Sequence, residues 1–187
     1  MNTPLRSMTQ VALVVGLLAS AGLHAAAPVA GTATPTAGPA ARAPRMSCAA
    51  LAGREYYNVT ITAAVEVPAS GSLPAYCKVS GNEAGTAHDL EVRLPAQWRG
   101  SYVQRGGGGF DGSIAPPASA PAALQLGAAQ GANNGGHRNP SGAVLLGDPR
   151  ATERYAHAAI LTATRFGKAV TQAYYGAAPA RAYYDGC

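Results

Sequence analysis

Residues 88–94 can form little other than a β-strand. Leu90, Val92 and Leu94 alternate there with Asp89, Glu91 and Arg93. A period of two puts the apolar set on one face and the charged set on the other, so one face should be buried and the other wet. Pro95 stops the run, because it has no N–H to give to a ladder. Weaker alternation at Val59 and Ile61, and again at Val65 and Val67, predicts one or two strands upstream. Residues 76–80 and 101–105 read as further strands, and the Ala, Pro and Ser of residues 113–123 read as loop.

A helix should follow. Asp148 can cap its start and Pro149 suits the first helical position. Tyr155, Ala159, Phe166, Val170 and Ala173 fall near one helical face, while Gly167 weakens the middle and points to two segments. Gly176 suits the C-terminal cap and Pro179 blocks continuation. Residues 181–185 then read as a short strand running into Gly186 and Cys187. Strands followed by a helix and another strand predict an α/β sheet.

The first 45 residues are of another kind. Arg6 precedes about 13 apolar or small residues, from Val11 to Leu23, followed by Ala25, Ala26 and Ala27. That is the layout of a secretory signal peptide over residues 1–27, too short to span a bilayer core of about 30 Å as a helix. An uncleaved anchor is the alternative. Residues 28–45 are mostly Ala, Pro, Gly and Thr and read as a flexible linker, which puts the folded part at 46–187. The chain's formal charge of +5 owes much to this leader, since residues 1–45 hold three of the 14 basic residues and none of the 9 acids. The other basic residues are scattered singly with no stacking aromatics among them, so nucleic acid is not an expected partner. Once the signal is removed, no membrane is expected either.

Export gives the three cysteines meaning. Cys48 and Cys77 stand 29 positions apart. Joined, they would close a loop contributing roughly 3.5 kcal/mol on a chain-entropy account. Two buried free thiols are the other reading. Cys187 is left over, and an odd cysteine in an exported chain calls for a partner in a second chain or elsewhere in sequence.

Two stretches are chemical candidates. After the strand at 101–105 come Gly106, Gly107, Gly108, Gly109, Phe110, Asp111 and Gly112. The spacing matches G-x-G-x-x-G formally, but Pro116 and Pro117 follow where a helix should open. No acid occurs between Gly112 and Gly147 to hold a ribose, so a dinucleotide site is excluded. Four glycines after a strand do let backbone N–H groups approach a ligand oxygen, as an oxyanion hole requires, or else form a plain mobile turn. The second stretch is the strand leading into Gly186 and Cys187. It reads as the approach to a nucleophile elbow, G-x-S-x-G, or as an ordinary strand end. A third reading makes Cys187 itself the nucleophile, with a base such as His137 or His157.

These residues also carry a resemblance. Leu73-Pro74-Ala75-Tyr76-Cys77-Lys78-Val79-Ser80-Gly81, Leu94-Pro95-Ala96-Gln97-Trp98-Arg99-Gly100 and the glycine run come first. Gly135-Gly136-His137, Tyr174-Tyr175-Gly176 and Tyr183-Tyr184-Asp185-Gly186-Cys187 follow in the same chain. In that order the set resembles the N-terminal third of the tannase and feruloyl esterase family of exported α/β-hydrolases. The resemblance implies a partial α/β-hydrolase fold: N-terminal strands, a glycine-rich oxyanion loop, then the helix and strand that lead to the elbow. It implies a Cys48–Cys77 disulfide and an oxyanion-hole N–H from Gly109, with Gly106, Gly107, Gly108 and Phe110 forming the substrate loop. It also implies that Cys187 bridges to a cysteine beside the catalytic histidine.

On this resemblance the serine, acid, histidine and calcium-bearing lid of the family all lie beyond residue 187. No cofactor or metal is therefore expected within these residues. The implied activity is carboxylic ester hydrolysis through a serine acyl-enzyme, acting on small aromatic-acid esters of the feruloyl or gallate type in the periplasm or outside the cell. The chain as written would be an inactive fragment of such an enzyme, or alternatively an exported non-catalytic binding or remnant protein. Two positions depart from the family pattern: Arg99 replaces an Asn, and Asn134 replaces an Asp, keeping its shape and losing its charge. His137 is expected to be a structural loop histidine.

Overall fold

A computed structural model describes residues 40–186. The signal-peptide expectation, most of the expected linker and Cys187 lie outside the described residues.

Seven strands form one mixed sheet in the order β1-β2-β3-β4-β6-β5-β7. β1 (Glu55–Tyr56), β2 (Val59–Val67), β3 (Tyr76–Glu83) and β4 (Asp89–Pro95) make an antiparallel meander. β6 (Ala129–Asn133) runs antiparallel to β4, and β5 (Ser101–Arg105) runs parallel to both β6 and β7 (Arg181–Asp185). The register of β2 on β3 shifts between Ile61 and Ala63, so the two short alternating runs of the sequence join into one irregular strand.

Asp148 caps α2 (Pro149–Glu153) as expected, its Oδ1 accepting from the N–H groups of Arg150 at 2.9 Å and Ala151 at 3.1 Å. A single π-type turn (Arg154–Ala158) carries the chain into α3 (Ala159–Tyr175), which ends at Gly176 with φ +68°. α3 is continuous through Gly167, contrary to the expected break. A Cβ at Gly167 would lie 1.9 Å from the hydroxyl of buried Tyr102. The glycine therefore lets the helix settle onto the sheet. Phe166 and Val170 of α3 pack with Val59, Val79, Leu90 and Leu94 in the core.

Three further expectations need correction. The charged face of β4 is not wet at Arg93, which is 2% exposed. Its guanidinium donates to Glu91, to Gln130 on β6 and to the Ala115 carbonyl, so a buried charge is paired and tied to the next strand. The folded part starts before Met46, because Arg42 exchanges two backbone hydrogen bonds with Trp98 and the Arg45 N–H donates to Tyr174. Residues 113–123 are also not wholly loop: a short turn (Pro117–Ser119) leads into α1 (Ala122–Gln125).

Cys48 and Cys77 form a disulfide with a Cα–Cα distance of 5.6 Å, fastening the turn at Cys48–Leu51 to β3.

Candidate functional site

The site grows from the parallel pair β5 and β7. Both end at the same level, where Arg105 pairs with Asp185 in the ladder and their side chains meet at 2.6 Å. One residue on, the Gly106 N–H donates to the Asp185 carbonyl at 2.9 Å. The two loops that leave these strands therefore start in contact. A Cβ on Gly106 would lie 2.2 Å from the Tyr184 hydroxyl, and one on Gly186 would lie 3.1 Å from the Gly106 Cα. Glycine at both positions is what allows this approach. Cys187 lies outside the described residues.

Gly106, Gly107, Gly108 and Gly109 line a cavity of about 260 Å³ whose other walls include Asp111, Asn133, Gly135, Tyr155 and Tyr184. Phe110 is half exposed and leans over Gly142, where a Cβ would lie 2.8 Å from its ring. Asp111 has φ +54°, and its side chain folds back under the glycine run. A Cβ at Gly107 would overlap the Asp111 carboxylate, and one at Gly135 would lie 2.8 Å from its Oδ2. Burial pushes the Asp111 carboxyl up, against the lowering pull of the Gly108 N–H and of His137.

Tyr155 was expected on the core face of the helix. Its hydroxyl instead donates to the Gly109 carbonyl, and its ring packs against Phe110 and His137. It braces the glycine loop from the helical side.

His137 is buried and not among the residues lining the cavity, and neither of its ring nitrogens has a hydrogen-bond partner among the described residues. Asn134 is 1% exposed. Its Oδ1 accepts from the N–H groups of Asp89 and Gly136, while its Nδ2 donates to the Ala87 carbonyl and to Asp89 Oδ2. The arrangement fixes the turn that carries Gly135.

Sequence reasoning missed Asn133 and Tyr184 as wall residues and the bracing roles of Asp111 and Tyr155. Only Asp111 left a signal, as the lone acid inside the glycine run. Among the described residues no three His, Cys, Asp or Glu side chains gather as a metal site. No described helix is long and apolar enough to cross a membrane.

Residues 76–187 match the family model described as tannase and feruloyl esterase. The chain belongs to the tannase and feruloyl esterase family. It is 30% identical over 147 residues to a mono(2-hydroxyethyl) terephthalate hydrolase of Piscinibacter sakaiensis, covering 67% of this chain and 24% of that protein. It is 34% identical over 98 residues to a probable feruloyl esterase B-1 of Aspergillus fumigatus, covering 52% of this chain and 18% of that one. Among solved structures, an esterase from Aspergillus oryzae superposes with a TM-score of 0.65 at 23% identity, covering 75% of this chain and 33% of the other. A tannin acyl hydrolase from Aspergillus niger superposes with a TM-score of 0.55 at 27% identity, covering 70% and 29%. The fold is thus a partial α/β fold of this family, and the chain spans 24% and 18% of the length of these two curated relatives.

Proposed function

We propose that the chain carries the oxyanion-side wall of a serine carboxylic ester hydrolase that is exported by way of residues 1–27. The observation that carries this reading is the contact between Gly106 and Gly186, which sets the glycine loop beside the end of β7. A serine following Gly186 and Cys187 would stand across the cavity from the Gly109 loop. It attacks an ester carbonyl while the triad histidine takes its proton, and the Gly109 N–H and the elbow hold the oxyanion. The intermediate collapses by expelling the alcohol, which leaves with that proton. Water then releases the acid. Tyr155 holds the Gly109 peptide, and Asp111 holds the Gly108 N–H, so the loop keeps its shape as charge develops. The triad and the calcium-bearing lid belong to sequence beyond residue 187, and Cys187 serves as the bridge toward the histidine. The relatives' names, feruloyl esterase and mono(2-hydroxyethyl) terephthalate hydrolase, support aromatic-acid esters as the substrate class.

The test is to read the coding DNA past codon 187 and express the continuous frame. The expected result is Ser-x-Gly-Gly directly after Cys187, hydrolysis of ethyl ferulate or ethyl gallate by the longer product, and no turnover by the 187-residue chain. A genuine stop codon at that place, or a folded longer product inert on every aromatic ester tried, defeats the proposal.

A further inference from the structure

A second cleft, of about 490 Å³, opens beside Ser101 and Arg181, the first residues of β5 and β7. It therefore lies about 13 Å along β5 from the glycine loop. Its lining includes Arg42, Arg99 and Arg181 and no acid.

Elsewhere in the fold Arg93, Arg105 and Arg138 each meet a carboxylate. Arg42, Arg99 and Arg181 have no ion-pair partner among the described residues, although they share one cleft. No acid precedes Glu55 in the sequence, so the leader supplies no counter-charge. The backbone of each arginine is fixed. Arg42 is bridged to Trp98, the Arg99 N–H donates to the Gly127 carbonyl, and Arg181 pairs with Ser101. The floor is rigid too, because Trp98 stacks on Tyr175 at 4.6 Å and donates to the Ser101 carbonyl. Apart from Ser101 and Gly100 the rest of the lining is apolar, and Leu126 stands 73% exposed at its edge. Three arginines without an ion-pair partner around a largely apolar recess suit a ligand with one charged end and one greasy end.

We propose that this cleft binds a small organic carboxylate with an apolar body, the carboxylate held among Arg42, Arg99 and Arg181 and the body against Leu126 and Ala178. The proposal is independent of the catalytic reading, because no residue of the glycine loop takes part in it.

Trp98 is the only tryptophan of the chain and reports from the floor of the cleft. Benzoate is titrated into the oxidised 187-residue chain, followed by tryptophan fluorescence and calorimetry. Benzamide tests the body without the charge, and inorganic phosphate tests the charge without the body. Expected are saturation below about 1 mM benzoate and several-fold weakening between about 0.02 and 0.3 M salt. Loss of roughly tenfold in affinity is expected in Arg99→Gln or Arg181→Gln, with none in Arg150→Gln. Benzamide or phosphate binding as tightly as benzoate would overturn the proposal, as would no saturation by about 10 mM. The salt, benzamide and phosphate arms need no substitution, so a variant that misfolds does not spare the idea.

Discussion

Asn134 shows how far a single residue can be judged before its neighbours are known. By resemblance it occupies the place of an aspartate and loses a charge. The structure gives the amide a task that a carboxylate cannot perform. Its Nδ2 donates 2.9 Å to the Ala87 carbonyl and 3.3 Å to Asp89 Oδ2. Arg138 already holds the Asp89 carboxyl below its usual range, so that acid is ionised at neutral pH. Asn134→Asp would remove a donor and bury a second negative charge against the first. The expected cost is about 1–3 kcal/mol at pH 7, read as a lower urea midpoint. The new carboxyl, pressed by a like charge, takes up a proton on folding, so the deficit should shrink as pH falls toward about 4. A variant as stable as the parent at pH 7 would show that the amide's donor role is idle. The sequence could not reveal this, because Ala87 and Asp89 lie more than 40 positions away and meet Asn134 only after β4 and β6 have paired.

At the scale of elements, Gly167 poses a similar question with the opposite sign. Helix propensity alone says that Gly167→Ala should gain about 1 kcal/mol. Packing says otherwise. The added methyl would meet the Tyr102 hydroxyl at 1.9 Å and its ring at 2.6 Å, and Gly131 of β6 confines the same hydroxyl from the other side. Tyr102 is fully buried, so neither it nor α3 can yield cheaply. The expected net result is destabilisation by about 1–2 kcal/mol, measured by urea unfolding. A gain in stability would mean that α3 can lift from the sheet. The same crowding explains which strands the sequence disclosed. β4 was legible because Leu90, Val92 and Leu94 share one face and Asp89, Glu91 and Arg93 the other. β6 reads Ala-Gln-Gly-Ala-Asn, with no β-branched residue and no alternation, and all five of its residues are buried. It is a strand because Gln130 meets Arg93 of β4 and Gly131 leaves room for Tyr102 of β5, and no local pattern records that. The glycine loop was legible as a run of unusual composition. Of its braces, Asp111 showed only as an acid of no stated role and Tyr155 not at all, since Tyr155 works through a carbonyl 46 positions away.

At the scale of the whole molecule, the sheet is unevenly finished. β1 through β4 form an antiparallel half, which tolerates one wet face. The parallel half, β6-β5-β7, ends at β7, whose five residues are all exposed and whose ladder among the described residues runs only to β5. Parallel strands are normally covered on both faces, and an open edge is a template for another strand. Tyr183 is 52% exposed and Tyr184 is 62% exposed, so this edge also shows aromatic surface. The disulfide secures the far side, at the turn and β3, and does nothing for this one. The 187-residue chain expressed alone should therefore self-associate through β7. Size-exclusion chromatography with light scattering should find multimers at concentrations of about 10–100 µM. Tyr183→Lys places a charge on the edge without touching the glycine cavity and should shift the population toward monomer. Tyr184 is the poorer choice, since its hydroxyl lies against Gly106 and its loss would disturb the candidate site as well. A parent chain that runs as a monomer and melts in one sharp transition would show that β7 is stable as an edge, and that the parallel half needs no further cover.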